Sequence, residues 1–220
     1  AMHTLPTVVI ATGNPHKVEE IRAIFSAVGT PSRLLGLNEA GGGPFPEPEE
    51  SGRTFAANAT IKAIAYARAT GHLCLADDSG LEIDALDGRP GVISSHYCTD
   101  GRETGMNREE RDHTNNQRVL RELAGVPAER RAARFVCIMV LAGPQGLIAE
   151  TRGTFEGRIG VPGEVPRGRN GFGYDPLFLV APQFTATGAE LSPAEKNRLS
   201  HRAQACRLMA PHLAAIHTDL

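Results

Sequence analysis

The order of strand-like and helix-like segments predicts an α/β fold, two-lobed, with a long mixed β-sheet flanked by helices. Three observations carry this expectation. Early in the chain, short β-branched runs ending in Gly, Asn or Asp alternate with stretches of helical periodicity. Later, strand-like segments follow one another across Gly-containing turns, which favours a mixed sheet over an all-parallel one. Finally, 220 residues at 41% hydrophobic content suffice for one sizeable core, so residues 1–220 are read as a single domain of two lobes.

The elements follow in order. Residues 7–11 form a β-branched run that ends in Thr12-Gly13-Asn14-Pro15, a buried strand entering a polar loop. Val18, Ile21, Phe25 and Val28 recur at helical spacing. Residues 36–52, rich in Gly, Pro and Glu, predict an irregular, mobile loop, after which Thr54 can cap an Ala-rich helix running to about Thr70. Residues 73–76 read as a strand carrying Asp77 and Asp78 at its end, before a Ser-Gly turn and another strand over 81–86. Residues 107–123 predict a helix with a solvated first half, and 134–142, 147–152 and 155–159 three consecutive strands. A Gly- and Pro-rich loop over 161–173 leads to a last strand over 177–180. Ser192-Pro193-Ala194-Glu195 then has the form of a capping box opening the C-terminal helices.

Composition removes several function classes. A formal net charge of -2 provides no footprint for a nucleic acid polymer or an anionic membrane. No apolar run approaches the roughly 20 residues that span a bilayer, and no basic leader with an apolar stretch opens the sequence, so a cytoplasmic protein without membrane partners is expected. Cys74, Cys98, Cys137 and Cys206 lack CxxC spacing and read as reduced, mostly buried thiols, and the eight histidines have no zinc-ligand pattern.

Four polar constellations could do chemistry. "TGNPHK", Thr12 to Lys17, joins a strand to a helix N-terminus, where free backbone N–H groups and a lysine can cradle phosphate, although it is no P-loop. Asp77 and Asp78, with Glu49 and Glu50, form an acidic set. Successive strand residues face opposite ways, so one aspartate suits a Mg2+ site while the other bonds backbone or caps the turn. "GFGYDP", Gly171 to Pro176, places an aromatic ring and a carboxylate beside two glycines, which suits stacking on a flat base. In "EKNRLSHR", Lys196 and His201 would lie about 140° apart on one unbroken helix, so a shared ligand requires a break near Ser200. A plain turn or a solvated helix face accounts for any one of them. Together they supply metal ligands, phosphate-binding cations and a base slot.

In this order, "TGNPHKVEEI", "ESGRTFAANATIKA", "LADDSGLEIDALDGRPGVISSHY", "GFGYDPLF" and "SPAEKNRLSHR" closely resemble the noncanonical purine nucleoside triphosphate pyrophosphatases, the inosine/xanthosine triphosphate pyrophosphatase family. The likeness runs from about Val8 to the last helix. It implies an active site in the cleft between two lobes, usually a homodimer, and Mg2+-dependent hydrolysis of ITP, dITP and XTP to the monophosphate and pyrophosphate. By position, it implies that Thr12, Gly13, Asn14, Pro15, His16, Lys17 and Lys62 hold the phosphates, and that Asp78 accepts the proton of the attacking water. Asp78 and Glu50 would bind the metal, and Ser79 would touch substrate. Phe172, Gly173, Tyr174, Asp175, Lys196, His201 and Arg202 would bind the base.

Two departures from the family pattern stand out. A long Pro-rich loop precedes Glu50, leaving Glu49 as the alternative ligand, and Arg169-Asn170 stands where small or Thr-Gly residues are common. Two competing readings are a Maf-like nucleotide pyrophosphatase and a silent nucleotide sensor. The first usually carries a Ser-Pro-Arg-Arg type element where this chain has Asn14-Pro15-His16-Lys17. The second would bind without turnover.

Overall fold

A computed structural model of the chain describes residues 5–30 and 32–216. The first strand, β1 (Thr7–Ile10), buries Val8, Val9 and Ile10 completely or nearly so and runs into α1 (Pro15–Val28). Asn14 sets the entry to that helix. Its side-chain oxygen accepts from the N–H of His16 at 3.0 Å and of Lys17 at 3.4 Å, and Pro15 takes the first helical position. Val18, Ile21, Ile24 and Phe25 form the buried face, while Val28 is exposed beside the left-handed Gly29 that stops the helix. The next strand, β2 (Arg33–Gly36), has four residues, too few for a periodic signal, and was not expected.

Thr54 caps α2 (Phe55–Thr70), accepting from the Ala57 N–H at 3.1 Å. The strand after it corrects the sequence reading. β3 (Leu73–Ile83) is one strand of 11 residues, and Asp77, Asp78, Ser79 and Gly80 lie inside it instead of turning the chain. A 3-10 turn, Asp84–Leu86, replaces the end of the second expected strand. After α3 (Arg108–Glu122), capped by Asn107, come β4 (Ala132–Gly143) and β5 (Gly146–Ile159). β5 is also a single strand where two were expected, because Gly153 serves a purpose other than turning. The chain ends with β6 (Phe178–Val180), α4 (Pro193–Leu199) and α5 (His201–Ala215). Ser192 and Glu195 form the expected capping box, and the helical region breaks at Ser200, whose backbone is extended.

The strand order is β2-β1-β3-β4-β5-β6. β1 runs parallel to β2 and β3, whereas β5 and β6 are antiparallel, so the sheet is mixed. The chain divides into two compact units, one from the described residues of 1–78, 137–153 and 201–220, the other from 79–136 and 154–200. The first unit packs Ile10, Ile21, Phe25 and Leu75 with Met139, Leu141, Cys206, Met209 and Leu213. Cys74, Cys137 and Cys206 are buried free thiols, and Cys98 is free and half-buried. The second unit packs Leu81, Tyr97, Val119 and Leu123 around three phenylalanines, with the Phe178 ring 4.6 Å from Phe135 and 5.4 Å from Phe155. Arg131, 2% exposed there, donates to the carbonyls of Leu123, Val126 and Gly160 at 2.7–2.8 Å, which compensates its burial.

Gly153 lets helix backbone lie directly on strand backbone. A Cβ at that position would fall on the carbonyl oxygen of His201 and lie 2.6 Å from the amide nitrogen of Ala205. Neither backbone atom can swing aside as a flexible side chain would. Gly153→Ala is therefore expected to lower stability by about 3 kcal/mol, the upper part of the usual overpacking range, read as the midpoint of denaturant unfolding. An unchanged midpoint would mean that α5 is free to shift off β5.

Candidate active site

The first unit gathers charge around two adjacent residues of β3. Their side chains point to opposite faces, as strand geometry requires. Asp77 is 4% exposed, and its carboxylate meets Lys17 Nζ of α1 at 2.6 Å and Arg202 Nε of α5 at 3.4 Å. The Cys137 thiol adds a weak contact at 3.6 Å. Burial pushes this carboxyl up, but Lys17, Arg202 and Lys62 together hold it well below the usual carboxylate range. Asp77 is thus an internal counter-ion to Lys17 and Arg202.

Asp78 has a different environment. Its carboxyl bonds with Asn58 of α2 and lies near Lys62 and Glu50. Burial first, and the Glu50 charge second, push it up to about 6 against the pull of Lys62. Lys62 spans the group, donating to the Asp77 carbonyl at 2.6 Å and pairing with Glu50 Oε1 at 3.1 Å. Although burial disfavours its charge, Asp77, Glu50 and Asp78 raise its ammonium above the usual value. Of the two glutamates left open by the sequence, Glu50 is the one that meets Lys62.

Thr12 to Lys17 lead into this cluster, with Gly13, Asn14, Pro15 and His16 exposed and Thr12 half-buried. Thr12 Oγ1 accepts from the Asn14 N–H at 3.2 Å. Asn14 already takes the His16 and Lys17 amides, so these two N–H groups at the helix start are occupied, while the Lys17 side chain reaches Asp77. His201 opens α5 half-buried. Arg202 is 8% exposed and tied to Asp77 and, through its other arm, to Glu20 at 2.9 Å.

The second unit brings together most of the remaining candidates. Phe172 is 53% exposed, with the Arg108 guanidinium 4.6 Å and the Lys196 ammonium 5.0 Å from its ring centre. Asp175, 3% exposed, accepts the Phe172 N–H at 3.0 Å and is ion-paired with Lys196. Gly171 and Gly173 take left-handed conformations that allow this tight loop. Tyr174, expected at the base, is a core residue whose hydroxyl donates to the Ser94 carbonyl at 2.5 Å, so its ring is unavailable for stacking. Asn170 fastens the loop's entry by donating to the Leu191 carbonyl at 3.0 Å. Ser79 lies half-buried in β3 beside Asp78.

The match to known proteins covers both sets of residues. The Ham1 family model fits residues 8–212, a span holding every site residue named above. The chain belongs to the Ham1 family. It is 47% identical over 207 residues to the dITP/XTP pyrophosphatase of Nitratidesulfovibrio vulgaris, covering 93% of this chain and 94% of that one. Its identity to the dITP/XTP pyrophosphatase of Geobacter sulfurreducens is also 47%, over 206 residues, 93% of this chain and 95% of that one. Among solved structures, a HAM1 protein from Coxiella burnetii superposes with a TM-score of 0.80 at 36% identity, over 96% of this chain and 100% of that one.

Two residues of this Ham1 chain went unnoticed in the sequence. Asn58 holds Asp78 and also accepts the Gly52 N–H at 2.7 Å, fixing the loop that delivers Glu50. Its spacing of four from Lys62 places both on one face of α2, which is the signal that could have found it. Glu20 holds Arg202, and no local pattern marks it. Arg202→Ala would leave a buried carboxylate with one cation fewer and is expected to cost about 3 kcal/mol of stability, as breaking a buried ion pair commonly does. Equal unfolding midpoints for variant and parent would remove Arg202 from the support of Asp77.

Proposed function

We propose that the chain hydrolyses noncanonical purine nucleoside triphosphates, ITP, dITP and XTP, to the monophosphate and pyrophosphate with Mg2+ as cofactor. The observation that carries this reading is the grouping of Asp78 with Glu50, Lys62 and Asn58, in a chain 47% identical over nearly its whole length to dITP/XTP pyrophosphatases.

The donor set fits magnesium. Among the described residues no cluster of three or more His, Cys, Asp or Glu side chains could hold a metal ion. Mg2+ needs less, since it keeps several waters and takes one or two carboxylates beside substrate phosphates. Asp78 and Glu50 would be those carboxylates, and the part of the rise in Asp78 that comes from the Glu50 charge, after burial, is repulsion a cation would relieve. Bound there, the ion would neutralise phosphate charge.

The chain's own groups would do the rest. Lys17 and Lys62, now shared with Asp77 and Glu50, would take up phosphate oxygens. Asn58 orients Asp78, which accepts a proton as water oxygen bonds to the α-phosphorus and the bond to the leaving pyrophosphate breaks. Phe172 would stack on the base, while Lys196 would donate to a 6-oxo group. Adenine presents an amino group there and would leave buried donors unpaired. The same reading makes the protein a cytoplasmic homodimer, with a mass near twice that of one chain in light scattering. Among the described residues no helix is long and apolar enough to cross a membrane.

The deciding assay is pyrophosphate release from ITP, dITP, XTP, GTP, ATP, CTP and UTP, with Mg2+ and with a chelator. Fast metal-dependent release from the first three alone is the expected outcome; release from pyrimidine nucleotides, or binding without turnover, would sink the reading. Asp78→Asn is expected to lower kcat about 10^3-fold with the fold intact, as loss of a general base commonly does. Phe172→Ala is expected to raise KM at least about tenfold, the value of one base stack. Parental kinetics in either variant would remove that residue from its role.

A further inference from the structure

α3 reads from sequence as a helix with a solvated first half, and charged groups line much of it. Two of its side chains nevertheless converge on one residue of a distant loop. Asp112 Oδ2 accepts the Gly173 N–H at 3.0 Å, and Asn116 Nδ2 donates to the Gly173 carbonyl at 3.2 Å. The two are four residues apart, hence one turn apart on the same helix face. A third residue of that helix, its first, is Arg108, whose guanidinium lies 4.6 Å from the Phe172 ring centre.

The target of these contacts is unusual. Gly173 sits at φ 62° and Gly171 at φ 72°, in a segment with no regular hydrogen-bond ladder of its own. Backbone groups in such a loop need partners, and side chains on a rigid helix fix them more sharply than water would. From the other side, Asp175 holds the Phe172 N–H. The Asp175 N–H also donates to the Phe172 carbonyl at 3.2 Å, so Phe172 is carried on a peptide segment restrained at four backbone groups while its ring stays half exposed.

We propose that α3 is the positioning element of the stacking loop, with Asp112 and Asn116 fixing Gly173 and Arg108 steadying the Phe172 ring. These residues set affinity for the purine without touching the reacting phosphate. The inference rests on the reading of Phe172 as the base platform and assigns to α3 a task that the site residues do not include. A purely structural role for Asp112 would alter unfolding; a positioning role alters KM selectively.

The test is steady-state pyrophosphate release from ITP by wild type, Asp112→Ala, Asp112→Asn and Asn116→Ala, with a thermal melt of each. Asp112→Ala is expected to raise KM about tenfold and Asn116→Ala several-fold, with kcat within about twofold, because a bond to a charged acceptor is the stronger of the two. Asp112→Asn keeps an acceptor oxygen and is expected to restore KM to within about threefold of wild type. Unchanged KM in both alanine variants, a fall in kcat at constant KM, or failure of Asp112→Asn to restore KM would each overturn the proposal. Should Asp112→Ala not fold, Asn116→Ala and Asp112→Asn decide the matter. A wild-type chain inert toward ITP would instead refute the proposed function itself, and this inference with it, before any variant is compared.

Discussion

Asp77 is 4% exposed inside an 11-residue strand, where an uncompensated carboxylate would cost several kcal/mol of lost hydration, so the chain has to bring cations to it. Lys17 comes from α1 and Arg202 from α5, while Lys62 of α2 reaches the backbone carbonyl of the same residue. Three helices of the first unit are thereby referenced to one point on β3. Arg202 in turn needs Glu20, and α5 can approach only because Gly153 has no side chain. The arrangement is one of mutual compensation, in which removing one member leaves a buried charge behind.

The consequence for chemistry lies one residue further along the strand. Because Asp77 absorbs most of the positive charge, Asp78 on the opposite face is left with Lys62, Asn58 and the opposing charge of Glu50. Two neighbouring carboxylates of the same type are thus driven apart, one held ionised and the other lifted to about 6. On the proposed reading, a structural counter-ion and a proton acceptor arise from a single Asp-Asp dipeptide, and strand geometry places them in different surroundings.

Local chemistry was legible in the sequence, and distant compensation was not. The caps at Thr54 and Ser192, the Pro15 helix start and the break at Ser200 each depend on residues within one turn, and each stands where the sequence puts it. The turn expected after Asp78 failed because the cations that let Asp77 sit inside a strand come from distant parts of the chain, Lys17 on α1 and Arg202 125 residues away, beyond any window of periodicity. Gly153 misled for a related reason, since a glycine needed for close backbone approach looks like one needed for a turn. Candidate site residues were found by motif, yet Tyr174 and Arg202 proved to be buried, because motif position does not report which way a side chain faces.

On the proposed reading, charge-based contacts in the first unit hold any triphosphate alike, so selection among bases must come from groups that read the purine. The loop carrying Phe172 has the required stiffness, and its shape and its chemistry reside in the same atoms. A Cβ at Gly171 would collide with the Asp175 carboxylate and lie 3.0 Å from Lys196 Nζ. The Asp175–Lys196 ion pair therefore occupies the space a side chain at residue 171 would need. Glycine there is required twice, once for a φ of 72° and once for the room it leaves. Loop geometry and donor placement are for that reason not separable by substitution at this position, and selectivity has to be probed from α3 and from Lys196 instead.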